Sequence, residues 1–260
     1  MNGAIAAGEA ALMARYLERL DAKVYDAPAL HTLRDLMTRH QQTVPFENLD
    51  GLAGRTPPLS TAGVLDKIVV RRRGGFCYEL NEAFGALLSH LGFSVRRIEA
   101  RVWSEARQQF GAPFDHLALI VTLPEGEFLV DVGFGDNNRT PLRLPEDTLT
   151  DLSGSYSLAQ TSDKLWRLSR VGVPLYEMTM HGQPLWAFEP QYCHHKTSPE
   201  SVFSQGVICT RATPFGRITL SLDRLIVVEG GERTETLISD RARVLKEHFN
   251  LLDESPPESP

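Results

Sequence analysis

The stretch RGGFCYELNEAFGALLSHLGFSVRRIEARVW, residues 73–103, holds the turning point of the chain. From Cys77 onward the apolar residues Leu80, Phe84, Leu87, Leu88 and Leu91 keep the three-and-four spacing of one buried helix face. Gly92 follows as a C′ residue, where a left-handed backbone commonly ends a helix. From Phe93 the chain turns into a β-like run, FSVRRIEARVW. On the other side of Cys77 stand Gly74 and Gly75, which let the backbone turn tightly and approach a ligand. Cys77 is therefore expected where a tight turn meets a helix N-terminus.

Upstream of this stretch the pattern is helical. Met13, Tyr16, Leu17 and Leu20 share a face. Asp26 is placed to cap a second helix carrying Leu30, Leu33, Met37 and His40. Pro45 and Gly51 then break the period, and Ser60 or Thr61 can cap a third helix with Val64, Leu65, Ile68 and Val69 inward. Downstream come β-like runs bounded by Pro and Gly: HLALIVTLP (116–124), EFLVDVGFG (127–135), GSYSLAQ (154–160), KLWRLSRV (164–171) and PLYEMTM (174–180). Such spacing predicts antiparallel strands in a barrel or sandwich. The last third mixes a short helix at 199–205, strands at 207–213, 216–222 and 224–230, and a closing helix at 239–249. Helices first, strands next and a mixed layer last make the class α+β. The expected division is a helical part at 1–92, a barrel part at 93–195, an α/β part at 196–252 and a disordered Pro- and Ser-rich tail at 253–260.

Composition narrows the function. The chain has 260 residues, 42% hydrophobic and 23% charged, with a formal net charge of −6. No basic stripe suggests nucleic acid, and nothing favours an anionic membrane. No run approaches the roughly 20 apolar residues of a membrane span, and Glu9 and Arg15 interrupt any signal-peptide pattern. Three cysteines, Cys77, Cys193 and Cys209, point to a reducing compartment, so a cytoplasmic address is expected.

Most free cysteines are buried small hydrophobes. Cys77 has a different setting: unsatisfied N–H groups and partial positive charge at a helix start favour a thiolate, the reactive form of the residue. A thiol nucleophile needs a base, and the base an orienting group. His116 opens one β-like run and Asp131 closes the next. Hairpin pairing about the Pro124-Glu125-Gly126 turn puts residue 120 near 130 and residue 116 a little beyond 134, which leaves the contact between His116 and Asp131 unsettled. Asp115 is a second carboxylate beside the histidine, but adjacent strand residues point to opposite faces. Cys77, His116 and Asp131 form the leading triad. Cys193-His194-His195 is read as a loop; consecutive residues rarely converge on one ion, so no metal is expected.

With these residues in place, a family resemblance emerges. RGGFCYELN (73–81), VPFENL (44–49), DHLALIV (115–121) with VDVGFGD (130–136), and SPESVFSQGVICT (198–210) resemble, in order, the blocks of arylamine N-acetyltransferases, and the blocks run from about residue 12 to 245. The resemblance implies an N-terminal helical bundle, a central antiparallel β-barrel and a C-terminal α/β lid around a papain- or transglutaminase-like Cys-His-Asp core. It implies ping-pong transfer from acetyl-CoA through acetyl-Cys77 to arylamines, arylhydrazines and, by O-acetylation, N-hydroxyarylamines. It also implies Phe134, Gly135 and Trp103 along the coenzyme A path, Phe46 and Phe203 at the acceptor, and a buried Arg73–Glu47 pair bracing the site. Asp115 departs from the family pattern, in which that position is often a hydroxyl or neutral residue, and leaves the acceptor range open. Competing readings are an amide synthase, a thiol hydrolase or transglutaminase-like enzyme on the same triad, and a non-catalytic binding protein retaining the fold.

Overall fold

The computed structural model describes residues 2–253 other than Val24 and Asp26, with side chains from residue 8 onward. Asp26, expected as a helix cap, and the tail from residue 254 lie outside the described residues.

The N-terminal elements are α1 (Asn2–Arg19), α2 (Leu30–Thr43), the short strand β1 (Phe46–Glu47), α3 (Leu49–Leu52), α4 (Thr61–Leu65) and α5 (Cys77–His90). Ser60 caps α4 by accepting from the Gly63 N–H at 3.2 Å, and a π-helical turn at Asp66–Val70 continues it. Gly92 closes α5 at φ +87°. The expected faces pack inward: Met13, Tyr16 and Leu20 of α1, Leu33 and Met37 of α2, and Leu80, Phe84, Leu87 and Leu88 of α5 form one core.

The middle of the chain is a single antiparallel sheet. Its strands are β2 (Ser94–Ser104), β3 (Gln109–Phe110), β4 (His116–Leu123), β5 (Gly126–Val130), β6 (Leu142–Arg143), β7 (Asp147–Asp151), β8 (Gly154–Ser162), β9 (Leu165–Arg170) and β10 (Val173–Met178). The order is β6-β5-β4-β2-β10-β9-β8-β7, with β3 a short partner of β2. The sheet curls until its two end strands nearly meet, where the Arg143 N–H donates to Asp147 Oδ2 at 2.8 Å. The result is a nearly closed barrel. Both faces of β4 are covered, which is why its sequence is almost continuously apolar. Leu117, Leu119 and Val121 pack on the helices, while Ala118 and Ile120 face the barrel interior with Leu129, Leu158 and Tyr176.

The C-terminal part contains α6 (Glu189–Thr197), β11 (Ile208–Thr213), β12 (Gly216–Ser221), β13 (Arg224–Glu229), β14 (Glu232–Leu237) and α7 (Arg241–Phe249), capped by Asp240. Its sheet runs β1-β11-β12-β13-β14. Three local expectations are corrected here. Cys193, His194 and His195 lie within α6 rather than in a loop. Residues 199–205 hold only a 3₁₀ turn, Val202–Ser204. The strand β14 was missed because ERTETL is polar and exposed throughout, so it lacks the alternation that marks a half-buried strand. No helix among the described residues is long and apolar enough to cross a membrane.

Candidate active site

Cys77 is the first residue of α5 and is buried. The turn before it is held against β1: the Glu47 N–H donates to Gly75 O at 2.9 Å, and the Gly75 N–H donates to Pro45 O at 3.3 Å. A Cβ on Gly74 would collide with the Pro45 carbonyl oxygen, so glycine is required by close backbone approach. Glu79, in the first turn of α5, accepts from the Phe76 N–H at 3.3 Å.

The remaining partners come from the β4–β5 hairpin. Its register pairs Leu119 with Val130 and Ile120 with Leu129, around the Pro124-Glu125 turn. This differs by one residue from the pairing expected on sequence, and the difference changes faces. With residue 120 opposite 130, His116 and Asp131 would point to opposite sides. The observed register, continued one step past β5, sets Asp131 against Ala118 and on the same face as His116. His116 Nε2 lies 2.8 Å from Asp131 Oδ2, and Cys77 and His116 line the same cleft.

Asp131 is buried and surrounded by donors. Oδ1 accepts from Asn81 Nδ2 and the Gly133 N–H, both at 2.9 Å. Oδ2 accepts from the Tyr176 hydroxyl at 3.1 Å and Asn137 Nδ2 at 3.3 Å as well as from His116. Burial acts to raise its pKa, but His116, Asn81 and the Gly133 N–H hold it below the usual carboxylate range. For His116, burial acts against the charged ring; the Asp131 carboxylate and the Cys77 sulfur outweigh it and push the pKa up to about 10. The imidazolium is therefore the resting form at neutral pH.

His116 binds its proton more tightly in the folded chain, so its stabilisation is complete below the unfolded value of about 6.5 and is lost as pH rises through about 10. Nitrogen NMR of histidine-labelled protein should show one ring still protonated at pH 8 and titrating near pH 10. A ring at this site titrating near 6.5 would show that the charge pair does not form.

Asn81 joins the pieces. It lies four residues after Cys77 on the same helix, donates to Leu117 O at 2.7 Å and accepts from the Val132 N–H at 2.9 Å. At Gly133 a Cβ would stand 2.7 Å from Cys77 Cα, so the loop after Asp131 lies flat on the helix start because it has no side chain there. Asn81 and Tyr176 escaped the sequence reading. The only local signal for Asn81 is its helical spacing from Cys77, and Tyr176 lies 45 residues from Asp131 along the chain.

Below the site is a buried ionic network. Arg73 and Glu47 pair at 2.9 Å. Lys67 bridges Asp50 at 2.8 Å and Glu79 at 2.9 Å, and Lys196 reaches Glu79 at 3.1 Å. Charges taken out of water need such mutual satisfaction.

A cleft of ≈ 480 Å³ opens over Cys77 and His116. Phe46, Phe203, Phe134 and Gly135 line it. Phe46 and Phe203 pack with ring centroids 5.8 Å apart, and Phe134 stands edge-on to His116 at 5.4 Å. Asn48 places Phe203 by donating to Phe203 O at 2.8 Å and Gly206 O at 2.7 Å. Trp103 is not brought into the cleft: its ring packs on Phe110 at 5.0 Å and Nε1 donates to Glu105 at 2.9 Å, while its neighbour Val102 lines the wall. Of the cysteines, Cys209 is buried in β11, where burial pushes its thiol pKa well up, and Cys193 is exposed on α6. No cluster of His, Cys, Asp and Glu able to hold a metal ion occurs among the described residues.

A family model described as N-acetyltransferase matches residues 29–254. The arylamine N-acetyltransferase of Mycobacterium tuberculosis is 35% identical over 254 residues, covering 91% of this chain and 88% of that one. A Salmonella typhimurium relative, an arylamine N-acetyltransferase / N-hydroxyarylamine O-acetyltransferase, is 31% identical over 79% of this chain and 75% of its own length. Among solved structures, the Mycobacterium marinum arylamine N-acetyltransferase in complex with CoA superposes with a TM-score of 0.83 at 32% identity, covering 92% of both chains.

Proposed function

The chain belongs to the arylamine N-acetyltransferase family, and from that premise we propose that it moves an acetyl group from acetyl-CoA to the nitrogen of an arylamine or arylhydrazine through acetyl-Cys77. One observation carries the reading: a cysteine at a helix start faces an imidazolium that a buried carboxylate holds, on the floor of a cleft walled by Phe46 and Phe203.

In the first half-reaction the Cys77 sulfur, as thiolate, adds to the thioester carbonyl. The C–S bond to coenzyme A breaks, and His116 gives its proton to the departing sulfur. In the second, the acceptor nitrogen adds to the acetyl carbonyl of acetyl-Cys77. His116, now neutral, takes the N–H proton, and the Cys77 thiolate is released beside the restored imidazolium. Asp131 holds the ring orientation and stabilises its charge without itself taking the proton. Arg73 and Glu47 brace the turn that carries Cys77. Gly135, whose missing side chain would face Thr210 and Phe46, keeps that wall of the cleft low, as a pantetheine arm requires, and Arg217 and Arg233 line the same cleft, where they can meet phosphate.

The acceptor class follows from protonation. An alkylamine, with a pKa of about 10.4, is almost wholly charged at neutral pH and has no free lone pair. An arylamine is neutral there, and its flat ring suits the two phenylalanines. A substituted aniline and an aryl hydrazide should therefore be acetylated at least about a hundredfold faster than a lysine-like amine at equal concentration. Preference for the alkylamine would favour a transglutaminase-like enzyme, and steady CoA release without amide formation would indicate a thioesterase.

A further inference from the structure

Besides the Cys77–His116–Asp131 set, the cleft contains a second carboxylate–histidine pair that the transfer chemistry does not use. Asp115 and His195 both line it. His195 Nε2 lies 3.0 Å from Asp115 Oδ1, although 80 residues separate them. The carboxylate is fixed from several sides. Gln191 Nε2 reaches Oδ1 at 3.4 Å, the Tyr78 hydroxyl donates to the Asp115 backbone oxygen at 3.0 Å, and Oδ2 lies so close over Gly111 that a Cβ there would strike it. Phe114, at φ +62°, twists the chain just before β4, and Asp115 and His116 both line the cleft. The pair also touches the apolar wall: the His195 ring stands edge-on to Phe203 at 5.2 Å, and Phe203 in turn packs on Phe46.

We propose that Asp115, held by His195, is a specificity-determining residue that sorts acceptors by charge, admitting arylamines with neutral or hydrogen-bond-donating ring substituents and disfavouring those that carry a carboxylate. The proposal rests on the acetyl-transfer reading and defines its substrate class. The physical basis is a carboxylate fixed in the same cleft that Phe46, Phe134 and Phe203 line. Its neighbours His195 and His116 hold it ionised, below the usual carboxylate range, although burial acts against this. A ring lying along Phe46 and Phe203 shares the cleft with this charge, since His195, the partner of Asp115, stands against Phe203. A second anion there meets repulsion in a poorly screened cleft and also has to shed its water. An amide or hydroxyl can instead donate to the carboxylate.

The test compares 4-aminobenzoate with 4-aminobenzamide, which are similar in shape and differ in charge. The wild-type enzyme should favour the amide by about tenfold or more in kcat/KM, with the difference in KM. Asp115→Asn should lower that ratio by about tenfold. Comparing the two proteins cancels the different nucleophilicities of the anilines. Equal ratios in wild type and variant overturn the proposal. If Asp115→Asn does not fold, the wild type still decides, since an aniline with a para cationic group should match or exceed the amide and far exceed the carboxylate. A carboxylate as good as either overturns the proposal. Acetyl-Cys77 formation and turnover of unsubstituted aniline separate the two levels. If both occur but charge is ignored, only the sorting fails; if neither occurs, the transfer reading fails and the proposal falls with it.

Discussion

Cys77→Ser should lower acetyl transfer by about 10⁴-fold or more while the chain still folds. The two side chains are nearly the same size, and Cys77 packs at a crowded point, with Gly133 against its backbone, so the replacement opens no cavity. The electronic change is large. Cys77 faces an imidazolium that is already charged, with His116 held protonated up to about pH 10 by Asp131 and the sulfur. Sulfur suits this site because the reactive form of a cysteine is its anion. A serine hydroxyl remains protonated beside an imidazolium, and a ring that already carries its proton cannot act as base for it. Incubation with acetyl-CoA without amine should place one acetyl group on the wild-type peptide containing Cys77 and none on the variant. Acetyl found on Cys193 or Cys209, or a variant rate within tenfold of wild type, would remove Cys77 from its role.

Asp131→Asn should cost roughly 10³–10⁴-fold in kcat. The asparagine carries one acceptor oxygen where Asp131 has two, and both are in use. With its oxygen towards Asn81 and Gly133 N–H, its amide N–H₂ faces the Tyr176 hydroxyl, Asn137 Nδ2 and His116 Nε2, all donors to the native carboxylate. His116 then loses the charge that keeps it protonated and adopts the wrong tautomer for Cys77. A lower melting temperature is expected too, since donors are left unmatched in a buried site. The decisive reading is the His116 titration, which should fall from about 10 towards the ordinary histidine range. Damage to packing alone would reduce activity and leave that midpoint in place. If Asp115→Asn proved the crippling change and Asp131→Asn the mild one, the orienting carboxylate would have been misidentified.

The family resemblance rested on contiguous blocks, and those blocks converge at the site for a simple reason. VPFENL supplies β1, which pairs with β11 on one side and bridges Gly75 on the other. RGGFC supplies the turn and the helix start, and VDVGFG the flat loop that lies across it. Each block carries small or polar residues where backbone meets backbone, so each is conspicuous when read alone.

The chain's local chemistry was sufficient to determine that α5 begins at Cys77, that strands take over after Gly92 and that a thiol, an imidazole and a carboxylate occur in that order. Glycine pairs, helical period and apolar runs act over a few residues and need no distant partner. Tertiary structure decided everything that depended on register or long-range contact. A shift of one residue in the β4–β5 hairpin put His116 and Asp131 on the same face, because strand side chains alternate with a period of two. Polar α6 became a helix because Phe188, Tyr192 and Lys196 are buried against distant elements, and there it brought His195 to Asp115. Asn81, Tyr176 and Asn48 acquired their roles in the same way, through hydrogen bonds spanning between 36 and 160 residues of chain, distances over which a sequence carries no local signal.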